Sequence, residues 1–114
     1  MIPKTNRFHG HNSLSPVYRR GQTVSVPKLS LKYLVIKSDK NKRLAVVVSR
    51  KVDKSAVVRN RIRRRIYAVI KERYPKLKQN TDMIISVYNN DLATMKSSEL
   101  NDLVDQLLKK AELL

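Results

Sequence analysis

Two spacings of apolar residues alternate along the chain. Over residues 29–37, LSLKYLVIK, Leu29, Leu31, Tyr33 and Val35 fall on one side and Ser30, Lys32 and Leu34 on the other, the period of two that a strand requires. RLAVVVSRK (43–51) is rich in β-branched residues and reads as a well-buried strand, joined to the first by a charged turn, SDKNK (38–42). A further short strand fits near 23–26, and DMIISVY (82–88) is another. Between them the period changes. Ser55 can cap a helix that runs to about Arg73 and is closed by Tyr74-Pro75. After a loop at NNDLAT (89–94), Ser97 or Ser98 caps a last helix whose Leu100, Leu103, Val104, Leu107, Leu108 and Ala111 form a stripe of period 3.6. A short helix is expected over 13–20, with Ser13 or Ser15 as cap, Pro16 in its first turn and Gly21 as its stop. Leu14, Val17 and Tyr18 share one face of it. The order α-β-β(β)-α-β-α predicts an α+β domain with helices packed on a small sheet.

A chain of 114 residues suffices for one compact domain, 1–114, in which the first dozen polar residues (1–12) are expected to form a flexible arm. It contains no cysteine, which removes disulfides and cysteine metal sites and fits a reducing cytoplasm. No apolar run approaches the roughly 18–20 residues that span a bilayer. The opening MIPKTNRFHGHNS lacks the apolar core of a signal peptide.

Charge changes the picture more. The net charge is +16, and it is uneven: residues 1–81 hold 22 Lys/Arg against 3 Asp/Glu, while residues 82–114 hold 3 against 6. A basic body with a slightly acidic C-terminal element points to a polyanionic partner, nucleic acid first and an anionic membrane surface second.

The basic residues concentrate in SAVVRNRIRRRIYAVI (55–70). On a helix, Val58, Ile62, Ile66 and Val69 lie within roughly 80° of one another at about 100° per residue and make the core contact. Arg59 and Arg63 flank that stripe on one side, Arg61 and Arg65 on the other, and Asn60, Arg64 and Tyr67 occupy the outer sector. The simplest account of a charge run is a solvated face laced with ion pairs. It fails here because no acid stands between Lys54 and Lys71, so neighbours three and four residues away add repulsion. An external anion relieves it. Arginine forks suit phosphate oxygens, and Asn60 adds a neutral donor and acceptor for a base edge or a 2′-hydroxyl. Charge alone does not separate RNA from DNA; the density of donors favours a folded RNA. Arg50 and Lys51 at the strand end and Lys54 before the helix extend the patch. Ser30 and Lys32 give the earlier strand a similar polar face, and if the two faces coincide the sheet holds a basic surface for a single strand.

RLAVVVSRKVDKSAVVRNRIRRRI (43–66) resembles the signature of the bacterial ribonuclease P protein family: a strand ending Ser49-Arg50-Lys51, a short turn, then Ala56-Val57-Val58-Arg59-Asn60-Arg61 on a helix. The resemblance in element order, length and charge covers about residues 5–112. It implies a four-stranded sheet with a left-handed β-α-β crossover (ribosomal protein S5 domain 2-like), a handedness contrary to the usual rule. It also implies a role. The chain would be the protein subunit of ribonuclease P, with the catalytic RNA and precursor tRNA as partners. It would assist the magnesium-dependent removal of the 5′ leader while the RNA performs the catalysis. By that resemblance Arg59, Asn60, Arg61, Arg63 and Arg64, with Arg65 nearby, contact the catalytic RNA. Leu14, Tyr18, Lys32, Arg50, Lys51, Lys54 and Tyr67 fall on the leader side. The chain departs from the family pattern at Leu14, Lys32 and Tyr67, and its turn at Asp53-Lys54-Ser55 is one residue longer and lacks the usual glycine. A leader cleft that relies more on charge than on stacking is the expectation.

Other candidates carry less. His9 and His11 have no cysteine or further histidine to complete a metal site. Glu99, Asp102 and Asp105 read as the solvated face of the last helix, and Asp53 as a residue favoured near a helix start. Nothing suggests catalysis by the polypeptide itself, a protein-bound metal or a required oligomer. A structural rRNA-binding protein explains the charge equally well and the ordered motif less well. Membrane-surface and DNA modules lack their own signatures.

Overall fold

The computed structural model describes residues 17–35, 43–77 and 81–114. The arm at 1–12, His9, His11 and Leu14, the start of the first helix and the turn at 38–42 lie outside the described residues. Four strands, β1 (Gln22–Val26), β2 (Leu29–Val35), β3 (Arg43–Val47) and β4 (Thr81–Val87), form one sheet in the order β1-β2-β4-β3. The β1/β2 and β2/β4 pairs are antiparallel, and β3/β4 is parallel. Three helical segments accompany it: α1 (17–20), α2 (Ala56–Arg73) and α3 (Ser97–Lys110). Because β3 and β4 are parallel neighbours, the chain must cross from one end of the sheet to the other between them, and α2 makes that crossing.

Strand alternation divides the sheet into two unlike faces. Leu29 and Leu31 of β2, Leu44 and Val46 of β3, and Met83, Ile85 and Val87 of β4 point toward α2 and α3 and are buried with Ile62, Ile66, Ile70, Leu100, Val104 and Leu107. The opposite face carries Ser30, Lys32 and Leu34 beside Ser86, Ile84 and Asp82, which in turn pair with Val47, Ala45 and Arg43. On that side Val17 of α1 packs on Ala45 and Ile84 and is fully buried. Gly21 allows this contact. A Cβ there would stand 2.4 Å from the Val17 carbonyl oxygen and 2.9 Å from that of Tyr33, so no larger residue lets the chain leave α1 and enter β1 along this path.

Ser55 caps α2 as its sequence predicts, its hydroxyl accepting from the Val58 amide at 3.3 Å. The helix ends at Arg73 and a 3-10 turn containing Pro75 follows it (Tyr74–Lys76). Three expectations need correction. β3 stops at Val47, and Arg50 and Lys51 lie in a turn closed by Val52 donating to the Ser49 carbonyl at 3.1 Å. β4 runs on to Val87, one residue past the partner of Val47, so it is the β3 backbone that leaves the ladder first. Neither Ser97 nor Ser98 caps α3: Lys96 holds the cap position without a side-chain bond, and both serines fall inside the first turn. Tyr67 is buried in the core, not in the outer sector. The C-terminal half of α2 buries Ile66, Tyr67, Val69 and Ile70, a wider arc than the four-residue stripe, because it is enclosed by the sheet, α3 and the 3-10 turn at Asn90–Ala93.

Two ion pairs brace the ends. Arg43 donates to both oxygens of the buried Asp82, at 2.8 and 2.7 Å, so the one acid on the open sheet face among the described residues is neutralised across β3 and β4. Arg73 near the end of α2 grips Asp105 of α3 through Nε and Nη2, and holds the Asp105 carboxyl below the usual carboxylate range, chiefly by that hydrogen bond.

Candidate nucleic-acid interface

The first turn of α2 contains no acid, and its free amides already make a positive end. The arginines add to it in different ways. Arg61 and Arg64 are exposed and make no hydrogen bond or ion pair among the described residues, so their forks stand open to an external anion. Arg59 lies half-buried, its Nε 3.4 Å from the Ser55 carbonyl. Arg63 donates through Nη2 to the Asn60 side-chain oxygen, which orients its guanidinium along the helix and leaves the Asn60 amide nitrogen to donate outward.

Arg65 behaves otherwise. Its Nη1 donates to the Leu92 carbonyl at 2.6 Å and its Nη2 to the Met95 carbonyl. It ties α2 to the turn that follows β4 and does not present an open fork with the other four arginines. The helix wheel placed it on a flank of the stripe; that flank faces the 3-10 turn, whose carbonyls it satisfies.

A second tie fixes the start of the helix. Asp53 accepts the Ser55 amide at 2.8 Å with one oxygen and the Asn90 side-chain amide at 3.2 Å with the other. The turn that carries exposed Arg50, Lys51 and Lys54 is therefore anchored to the segment after β4.

The open face of the sheet brings Tyr18 and Lys32 together. Lys32 Nζ lies 5.4 Å from the centre of the Tyr18 ring and 3.3 Å from the Tyr18 carbonyl oxygen, an arrangement that steadies the lysine over an aromatic left 43% exposed. Two strand positions along, the Ser30 and Tyr88 hydroxyls are 2.8 Å apart. Tyr88 is 65% exposed and is a residue the sequence reading passed over. The signal was present: Asp82, Ile84, Ser86 and Tyr88 share one side of the strand, and β4 lies beside β2. Tyr67 does not join this face, since it is buried on the helical side. The two basic surfaces thus sit on opposite sides of the sheet. They meet at one end, where β3 leads into the Arg50–Ser55 turn and β4 leads into Tyr88. Among the described residues no group of His, Cys, Asp or Glu is placed to hold a metal ion, and no helix is long and apolar enough to cross a membrane.

These features define a small basic α+β protein that offers an arginine-bearing helix on one side and a lysine- and tyrosine-bearing strand surface on the other. The family model described as Ribonuclease P matches residues 2–112. The ribonuclease P protein component of Synechococcus elongatus is 36% identical over 117 residues, covering 99% of this chain and 95% of the relative, and that of a Pseudanabaena species is 32% identical over 114 residues, covering 100% and 97%. In fold the chain is similar to a Staphylococcus aureus RNase P protein, a mutant with defective mRNA degradation activity. The TM-score is 0.85 at 22% identity, with 97% of this chain and 92% of that one covered. It is similar also to the RNase P protein of Thermotoga maritima, with a TM-score of 0.77 at 17% identity and 91% and 96% covered. The chain belongs to the ribonuclease P protein family. As a member it is the protein part of a ribonucleoprotein endoribonuclease of tRNA processing, and RNA is its partner.

Proposed function

We propose that the two faces divide the RNA between them. The outward surface of α2, through Arg59, Asn60, Arg61, Arg63 and Arg64, binds the catalytic RNA subunit. The open sheet face, through Tyr18 and Lys32 and continuing to Arg50, Lys51 and Lys54, holds the single-stranded 5′ leader of precursor tRNA. The observation that carries this reading is the contact of Lys32 with Tyr18: it couples a phosphate-seeking charge to a base-stacking ring on the sheet face away from α2 and α3. The helix side offers what a folded RNA with converging phosphates needs, several forks aimed in different directions from one rigid element.

In this reading the protein supplies no reacting group. It concentrates and orients the leader, lowers phosphate repulsion between substrate and catalytic RNA, and leaves the 5′ phosphodiester to the RNA. Magnesium would be held by the RNA phosphates of the holoenzyme. One protein chain per RNA suffices, and the cytoplasm is where such an assembly works.

The decisive experiment adds the purified protein to a ribonuclease P RNA at low magnesium and measures leader cleavage from precursor tRNA. Stimulation that depends on the leader is the expected result. Tight binding to ribosomal RNA without any stimulation would sink the proposal and favour a structural ribosomal role.

A further inference from the structure

The far end of the sheet face repeats the chemistry of its Tyr18–Lys32 end, with residues that the motif does not include. Tyr88 follows β4, and its amide donates to the Lys28 carbonyl at 2.9 Å. Its hydroxyl, 2.8 Å from the Ser30 hydroxyl, carries the ring from β4 across to β2, and Ser30 is buried beneath it although it lies on the open side. An aromatic ring held at two points and yet 65% exposed is preorganised for a flat partner. Lys28 stands beside it. It follows Pro27 in the β1–β2 turn with φ of 75°, a left-handed conformation that side chains other than glycine and asparagine seldom adopt. That geometry places its ammonium 3.3 Å from Asp91, a carboxylate itself 62% exposed, so the pair is weak and open to exchange.

We infer that Tyr88 is a second nucleobase-stacking platform and Lys28 its phosphate partner, so that a single RNA strand runs along the sheet from Tyr18–Lys32 to Tyr88–Lys28. The inference rests on the leader-binding reading and extends it. Lys28 and Lys32 lie four residues apart on or beside β2, roughly 13 Å at about 3.3 Å per residue. Stacked nucleotides at about 3.4 Å each would cover that distance in about four steps. The Tyr88 end is also the end at which β3 passes into the basic turn, and Asn90, two residues on, is bonded to Asp53 of that turn. Tyr88 therefore stands where the strand-binding face joins the helix surface, and it steers the strand toward Arg50, Lys51 and Lys54.

The test uses the reconstituted protein–RNA holoenzyme and precursor tRNAs with leaders of about two and about eight nucleotides, on either side of the four-step span. Tyr88→Ala is expected to weaken binding of the long-leader substrate roughly tenfold and to leave the short-leader substrate within about twofold. Tyr88→Trp, which keeps a ring and loses the hydroxyl contact, is expected to stay close to the parent protein on both. Lys28→Ala is expected to flatten the salt dependence on the long leader by about 0.7 in log–log slope. Equal affinity of Tyr88→Ala and the parent for the long leader overturns the inference, as does an equal loss at both lengths. If the parent protein gains nothing from the longer leader, the leader-binding reading itself falls, a result distinct from failure of the Tyr88 variant alone.

Discussion

Arg73 and Asp105, from helices α2 and α3, close on one another with two guanidinium nitrogens against two carboxylate oxygens, while Arg73 Nη1 also donates to the Val69 carbonyl at 2.9 Å. The contact joins the helix that carries the basic residues to the helix that seals the core. Asp105 is held below the ordinary carboxylate range by that bond, so its stabilisation is fully present above that range and fades as pH falls through the lowered value. Asp105→Asn should lower stability at neutral pH by about 1.5–3 kcal/mol, and the gap from the parent protein should close in strong acid. Thermal melts of both proteins over a pH series running from neutral into strong acid check it; a gap that does not narrow as the pH falls counts against the ion pair.

Arg61 and Arg65 are four positions apart on one helix, and their variants should part company. Arg61→Ala should leave the melting temperature unchanged and reduce the salt slope of RNA binding by roughly 0.7–0.9, one phosphate contact. Arg65→Ala should leave the slope alone and cost about 1.5–3 kcal/mol of stability, because two carbonyls lose a charged donor. Salt titrations of binding, paired with urea denaturation, separate the two effects. A flattened slope for Arg65→Ala at unchanged stability would show that it contacts phosphate after all.

Gly21→Ala should destabilise by about 1–3 kcal/mol, since its methyl group has no room between the Val17 and Tyr33 carbonyls. Because the same packing sets α1 on the sheet, leader affinity should fall together with stability. Tyr18→Ala, by contrast, should lower affinity with little change in melting.

Tyr18 and Lys32 touch, so their variants should not add. The double variant is expected to lose less leader affinity than the product of the single losses, with a coupling of about 0.5–2 kcal/mol. The sequence departures at Leu14 and Lys32 predict a larger loss from Lys32→Ala than from Tyr18→Ala. A dominant loss from Tyr18→Ala would show that stacking leads.

Ile66→Ala removes a fully buried side chain on the core face of α2 and should cost about 2–5 kcal/mol, measured by chemical denaturation. RNA affinity should fall only when the temperature approaches the lowered melting point.

Elements governed by neighbouring residues were legible in the sequence. Ser55 and Pro75 set the limits of α2 by local chemistry, and the alternation that opens at Leu29 set β2. The arginines without acidic neighbours announced an anionic partner before any coordinates. What escaped depends on distant partners. Arg65 meets carbonyls 27 and 30 residues away, which a helical wheel does not contain. Tyr67 passes from the outer sector to the core because other elements enclose that half of the helix. The start of α3 follows a turn whose Met95 carbonyl is bound by Arg65. Tyr88 was hidden for a plainer reason, that a tyrosine after a strand reads as its end until the neighbouring strand is known.

The short turn from Ser49 to Ser55 acts as a spacer. It is the covalent link between the end of β3 and the start of α2, and its Asp53 is pinned to Asn90. Its length sets the offset between two docking surfaces, and its own Arg50, Lys51 and Lys54 extend the strand-binding one. Lengthening or shortening it would shift one bound strand relative to the other in steps of a single residue.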